Sequence, residues 1–308
     1  MLTDMWCRVN ANRVMRAKQC HREEPIDDLI ELSIKNCSFC PENIDRATPK
    51  FPPEISKKGR IKLGEATVFP NLFPFAKYHG MATITEKHYQ DIADFTEVQI
   101  EDTISASIDY FKRIDTLGAK YFSLSWNHLP PSGASIVHPH VQLIGDEVPT
   151  YMTDICLKAS KEYHKENSEN YWLRLVKEEE RLGERFVGRT GRVAWISSFA
   201  PLGNNEISMV FEGGSSILDL TRKDVSDVSK GIRRILKGYS SMGKKSFNFT
   251  MYSGLKNMDD FCLNAKIITR PNIQKYYTTD GGFMEILHKE RIVETLPEFL
   301  ASEFKKFF

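Results

Sequence analysis

Apolar and polar positions follow two rhythms along this chain, and the rhythms recur twice in the same order. The run Glu65-Ala66-Thr67-Val68-Phe69 is β-branched and aromatic, and it leads through Phe73-Pro74 to a second strand-like run, Gly80-Met81-Ala82-Thr83-Ile84-Thr85. The period then changes to that of a helix. Val98, Ile100, Ile104, Ile108 and Phe111 recur at helical spacing, Thr96 with Gln99 has the form of a capping box, and Gly118 stops the helix. Two more strands are predicted, Tyr121 to Trp126 and His138 to Ile144.

The second half repeats this order with Val193-Ala194-Trp195-Ile196, then Phe199-Ala200-Pro201, then Glu206 to Phe211. Its helix starts at Thr221 with Asp224 at the matching position, and Ser246 to Tyr252 and Cys262 to Thr269 complete the set. Phe73 and Phe199 are 126 residues apart, Thr96 and Thr221 are 125 apart, and Leu143 and Ile267 are 124 apart. Three landmarks sharing nearly one offset indicate a duplicated unit of α+β class, with an antiparallel sheet covered by helices on one face. The expected division is 1–150, a helical connector 151–185, and 186–308. The connector is rich in Lys and Glu, with Tyr163, Trp172, Leu175 and Val176 interspersed, so its charges read as a solvated face.

Composition narrows the function classes. With 308 residues and 41% hydrophobic content the chain can fill a core, and Lys+Arg 42 against Asp+Glu 41 gives no basic field for sequence-independent nucleic-acid binding. No apolar run approaches a membrane span, and the N-terminal stretch lacks the apolar core of a signal peptide, so a cytoplasmic, membrane-free location is expected.

The densest chemical signal is Gly133-Ala134-Ser135-Ile136-Val137-His138-Pro139-His140-Val141-Gln142. Strand alternation would put His138, His140 and Gln142 on one face; the plain alternative is a solvent-facing edge. The small residues upstream allow backbone N–H groups to approach an anion closely. Of six cysteines only Cys37 and Cys40 are closely paired. That spacing serves structural zinc and thioredoxin-like redox sites, and it also arises by coincidence. The Pro-rich stretch after it lacks the helical context of the redox motif.

The His-Pro-His-x-Gln motif with Gly-x-Ser before it resembles the galactose-1-phosphate uridylyltransferase-like branch of the histidine-triad superfamily, from about Cys37 through Ile144 and more weakly beyond. The resemblance implies a two-unit layout and a zinc site of Cys37, Cys40, His88 and His138. It implies His140 as nucleophile, with Gln142 and Ser135 acting on the phosphoryl group. Asn71 falls in the nucleotide-contacting segment, Asn127 at a phosphate-side position beside Gly133 and Ala134, and Lys275 to Glu285 at the segment that meets the sugar. The partners implied are a nucleotide sugar or other nucleotide donor and a phosphate or sugar-1-phosphate acceptor, with a homodimer as the assembly. Arg13 and Arg16 are loose candidates for phosphate contacts.

Residue chemistry bears on the mechanism independently. A neutral imidazole is a good nucleophile toward phosphorus, and a covalent nucleotidyl-histidine splits one transfer into two ping-pong steps. Simple histidine-triad hydrolases carry a third histidine where this chain has Gln142, and an amide cannot supply a proton to the leaving group. In the second unit Cys262, Asn264 and Lys266 stand opposite His138, His140 and Gln142, so that unit is expected to be non-catalytic. A nucleotide-sugar or dinucleotide phosphorylase or hydrolase, and a catalytically silent zinc-stabilised nucleotide-binding protein, are the competing readings. His21, His79, His128, His164 and His288 are expected to be surface or structural histidines.

Overall fold

The computed structural model describes residues 2–15, 23–275 and 279–308. Its strands are β1 (Cys7–Val9), β2 (Ile61–Leu63), β3 (Ala66–Pro70), β4 (Tyr78–Thr83), β5 (Tyr121–His128), β6 (His140–Asp146), β7 (Phe186–Thr190), β8 (Val193–Ser197), β9 (Ile207–Phe211), β10 (Ser246–Tyr252), β11 (Asn264–Arg270) and β12 (Arg291–Val293). The α-helices are α1 (Ile26–Ile34), α2 (Pro41–Ala47), α3 (Glu97–Asp115), α4 (Tyr151–Asn167), α5 (Tyr171–Leu182), α6 (Arg222–Ser241) and α7 (Pro297–Lys305). No helix among the described residues is long and apolar enough to cross a membrane.

Ten strands form one antiparallel sheet in the order β2-β3-β4-β6-β5-β10-β11-β9-β8-β7, which reads as the same unit from either edge toward the centre. The centre is the β5–β10 pair, where Ser125 faces Thr250 and the Thr250 hydroxyl donates to Ser125 Oγ at 3.1 Å. Matching the halves through this pair sets Gln142, opposite Ser125, against Lys266, opposite Thr250. It also sets Met81 against Ser208, and Phe69 against Ile196. The parallel β1–β12 pair ties the N-terminal segment to the C-terminal one.

Both long helices form where their caps predict. Thr96 accepts from Gln99 N and Thr221 from Asp224 N, and in each the third helical residue bonds back to the cap backbone. α3 and α6 pack against each other and on one face of the sheet, burying Val141, Leu143, Leu124 and Trp126 from one half with Trp195, Met209, Phe249 and Ile267 from the other. At Gly231 of α6 a Cβ would lie 2.1 Å from the Trp195 ring, so helix and sheet meet there too closely for a side chain.

The opposite face departs from the one-sided arrangement expected from sequence. Over the second half, Cys156, Leu157, Trp172 and Val176 of α4 and α5 pack on Ala194, Ile196 and Val210. Every residue of β8 is buried, so both of its faces are apolar and both demand cover. The connector is therefore not only a solvated face. Over the first half, Cys37, Phe39, Cys40 and Ile44 cover Phe69 and Met81 instead. Several strand boundaries shift by one or two residues, β4 to Tyr78–Thr83 and β11 to Asn264–Arg270 among them. β6 begins at His140 because Pro139 has no N–H for the ladder, and β5 runs to His128, which places Asn127 inside the strand rather than after it.

Candidate active site

Three separate stretches converge on a buried cluster. Cys40 caps α2, with its carbonyl accepting from Asn43 N at 2.8 Å and Ile44 N at 2.9 Å, and Cys37 precedes it in the same turn. His88 lies between β4 and α3, and His138 just before β6. The ligand atoms of Cys37, Cys40, His88 and His138 all lie within 4.8 Å of one another. Cys40 Sγ is 3.4 Å from His88 Nδ1 and 3.6 Å from His138 Nδ1. A tetrahedral zinc with sulfur at about 2.3 Å and nitrogen at about 2.0 Å sets sulfur and nitrogen about 3.5 Å apart, so the residues fit that ion.

The remote ring nitrogens fix both imidazoles. His138 Nε2 donates to Thr85 O at 2.8 Å, since a carbonyl can only accept. His88 Nε2 donates to Ser33 Oγ at 2.8 Å, while that hydroxyl donates to Leu29 O at 2.6 Å. Each Nδ1 thereby keeps its lone pair on the side of the cysteines, the arrangement that orients metal-binding histidines. Burial, reinforced by the neighbouring Cys37, pushes the Cys40 thiol up to about 12 in the absence of a cation. A bound metal ion reverses that balance by favouring the thiolate.

His140 follows on the same segment. Its Nδ1 lies 2.8 Å from His138 O and carries the proton, which leaves the lone pair on Nε2. Burial pushes the ring's pKa below the ordinary imidazole value against the opposing effect of that hydrogen bond, so the neutral form predominates near pH 7. Phe39, between the two cysteines, stands edge-on to His140 with ring centroids 5.3 Å apart and to Phe69 at 5.1 Å. The loop that holds the cluster thus also props the His140 ring.

Gln142 lies two residues on, with its Oε1 3.1 Å from His79 Nε2. The same nitrogen is 3.1 Å from Asn71 Nδ2, so Asn71, just past β3, forms a polar row with His79 of β4 and Gln142 of β6. Beyond Asn71, Leu72, Phe73 and Phe75 are exposed.

On the other side of β6, Asn127 near the end of β5 leads into a tight loop. Leu129 takes φ 68° and ψ 160°, a region nearly reserved for glycine, and Ser132 N (3.0 Å) and Oγ (2.7 Å) hold its carbonyl. Gly133 has φ +90° with open space around a built Cβ, so its backbone conformation rather than crowding requires glycine. Ala134 is buried, while Gly133 and Ser135 are exposed.

The C-terminal candidates are placed differently. Glu285 accepts from Gly282 N at 2.8 Å and Ile292 N at 3.2 Å, so both carboxylate oxygens are engaged by backbone around it. Lys275 is exposed, and Tyr276, Tyr277 and Arg16 lie outside the described residues. Arg13 lines a cavity of about 390 Å³ together with Asn204 and Glu285. His128 is fully buried and stacks on Phe247 with centroids 5.3 Å apart; burial, with His140 nearby, pulls its pKa down to about 3.

Sequence reasoning missed Phe39, Ser33, Thr85 and His79. Strand alternation could have found His79, which shares a face with Met81 and Phe69. The others act through ring edges or backbone groups that leave no pattern in the sequence.

No family model matches the chain. An uncharacterized protein of Archaeoglobus fulgidus is 32% identical over 270 residues, covering 88% of this chain and 81% of that one. Among solved structures, an ADP-glucose phosphorylase from Arabidopsis thaliana with bound ADP-glucose superposes with TM-score 0.75 at 17% identity, covering 99% of this chain and 96% of that one. A uridylyltransferase superposes with TM-score 0.74 at 18% identity, covering 89% and 91%.

Proposed function

Because the chain belongs to one family with the Archaeoglobus fulgidus protein and has the fold of the galactose-1-phosphate uridylyltransferase-like branch of the histidine-triad superfamily, we propose that it is a nucleotidyltransferase acting on nucleotide sugars. One observation carries this reading: the His140 Nδ1–H is committed to His138 O, and Gln142 stands where a proton donor would be needed for simple hydrolysis.

His140 Nε2 attacks the α-phosphorus of the donor. A P–N bond forms, the P–O bond to the sugar phosphate breaks, and the electron pair leaves on that oxygen. A phosphate monoester has its second pKa at about 6 and departs as a dianion near pH 7, so the step needs no acid. Nδ1 keeps its proton throughout, which leaves the nucleotidyl-imidazole cationic and a good leaving group. An acceptor phosphate oxygen then attacks phosphorus, and the electron pair of the P–N bond returns to Nε2. Gln142, Asn127 and the Gly133–Ser135 loop supply N–H and O–H donors for the phosphoryl oxygens, and Asn71 belongs to the nucleotide side.

Zinc, held by Cys37, Cys40, His88 and His138, would be structural, since four protein ligands leave no open position. Those residues fix His138, and through its carbonyl the tautomer of His140. Inorganic phosphate and sugar 1-phosphates are the acceptor class. Lys275 and Glu285 are assigned to the sugar end on the strength of the family resemblance alone. Residues 1–150 form the catalytic half, 151–185 the connector and 186–308 the second half.

Initial rates with ADP-glucose, UDP-glucose, UDP-galactose or GDP-mannose, each against inorganic phosphate and galactose 1-phosphate, test the reading. Parallel double-reciprocal lines for one pair, with exchange of label between donor and its sugar phosphate in the absence of acceptor, are expected. Intersecting lines with no exchange overturn the ping-pong scheme.

A further inference from the structure

The second half of the sheet reaches the candidate site through Asn248, which lies on β10 directly opposite Asn127 of β5. Asn248 Nδ2 donates to Asn127 Oδ1 at 2.6 Å and to Ser132 O at 2.8 Å. Its Oδ1 accepts from Arg270 Nη1 at 2.9 Å. Arg270, at the end of β11, is held in turn by Asp280, whose Oδ1 accepts from Nε at 3.0 Å and Nη2 at 2.7 Å.

Chemistry fixes the direction of this chain of bonds. A guanidinium only donates and a backbone carbonyl only accepts, so Asn248 must turn its oxygen to Arg270 and its nitrogen to Ser132. Asn127 must then present its oxygen to Asn248. Both N–H bonds of Asn127 point away from that contact and remain for another acceptor. Had the amide been reversed, its oxygen would meet an anion with repulsion instead of a hydrogen bond.

We propose that Asn248, oriented by Arg270 and Asp280, is a positioning residue for nucleotidyl transfer: it aims the Asn127 amide at the phosphoryl group and pins the loop that carries Gly133 to Ser135. The inference rests on the reading that His140 takes up a nucleotide. It gives the second half a part in the chemistry without giving it a nucleophile, because donors set in place before the reaction need no reorganisation during it. It also links the C-terminal segment, through Asp280, to the phosphate side of the site.

Two substitutions separate aim from packing. Asn248→Asp has nearly the same shape and keeps an oxygen for Arg270, but it sets a carboxylate oxygen against Asn127 Oδ1 and forces that amide to reverse. Asn248→Ala leaves Asn127 free to adopt either orientation. The rate of His140 loading by the four nucleotide sugars above is followed by intact mass, with zinc content and Tm as controls and donor affinity measured by calorimetry in the His140→Asn background.

Loading is expected to fall about 10-fold in Asn248→Ala and about 100-fold in Asn248→Asp, with zinc content and Tm little changed. In an Asn127→Ala background, Asn248→Asp is expected to cost much less than in the wild-type chain, the remainder being the lost bond to Ser132 O. Wild-type loading in Asn248→Asp, or a loss that tracks Tm or zinc, overturns the positioning role, as does an equal loss with Asn127 already removed. If the wild-type protein takes up none of the four nucleotides, the nucleotidyl-histidine reading fails and this inference with it. Normal wild-type loading with an indifferent Asn248→Asp overturns this inference alone.

Discussion

The two halves of the sheet answer the same backbone geometry with different chemistry. In the first, His140 Nδ1 donates to the carbonyl of His138 at 2.8 Å; in the second, Asn264 Nδ2 donates to the carbonyl of Cys262 at 3.0 Å. The two bonds span the same two residues at matching places in the sheet. An imidazole that donates through one nitrogen still has a lone pair on the other, whereas a donating amide nitrogen has none to offer. One residue therefore separates a ring with a free lone pair from a brace. Two residues on, Gln142 stays partly open beside His79, while Lys266 is ion-paired with the fully buried carboxylate of Glu206. The cover differs as well. Over the second half α4 and α5 help to line a cavity of about 130 Å³ whose lining includes Trp172, Ile196, Val210 and Lys266. The duplicated fold has kept its hydrogen-bond frame on both sides, while the free imidazole nitrogen of His140 and the cluster of Cys37, Cys40, His88 and His138 lie on one.

His140→Asn gives the first half the residue of the second, and it is the severest test of this contrast. Uptake of nucleotide and turnover should fall by about 10³-fold or more, with zinc content and Tm unchanged, as measured by intact mass, metal analysis and thermal melting. Cys37→Ser should lower zinc content and Tm together, since the energy of a structural metal site is folding energy; unchanged Tm in metal-free protein would count against a structural ion.

Trp172→Ala strikes the cover of the second half instead. The indole is buried against Phe261 and its Nε1 donates to Ser160 Oγ at 3.0 Å, so a loss of roughly 3–5 kcal/mol in urea unfolding is expected, with loading per folded molecule unchanged. Asn264→Ala should have the smallest effect, about 1 kcal/mol of stability for one neutral hydrogen bond, and none on His140 loading.

Much of the frame was legible in the sequence because local chemistry writes it there. The capping boxes at Thr96 and Thr221 mark both long helices, and the shared offset announces a duplication that appears as the mirrored strand order. The Cys37–Cys40 pair, His88 and His138 come from three separated stretches, and the family resemblance groups them as the fold does in space. Other features were hidden for physical reasons. The role of α4 and α5 depends on which sheet face needs cover, and their many charges obscured a narrow apolar stripe. Ser33 and Thr85 hold the His88 and His138 rings through a hydroxyl and a backbone carbonyl, neither of which needs a particular neighbour in sequence. Asn248 meets Asn127 only because the halves pair in one register, which neither half encodes alone.

The claim that covalent chemistry belongs to one half is tested most directly by the mass of the intact wild-type chain after incubation with the nucleotide sugar it turns over, without acceptor. The account predicts a single added nucleoside monophosphate, acid-labile as a phosphoramidate, located on His140 and discharged by acceptor phosphate. Two added nucleotides per chain, or an adduct that survives in His140→Asn, would contradict it.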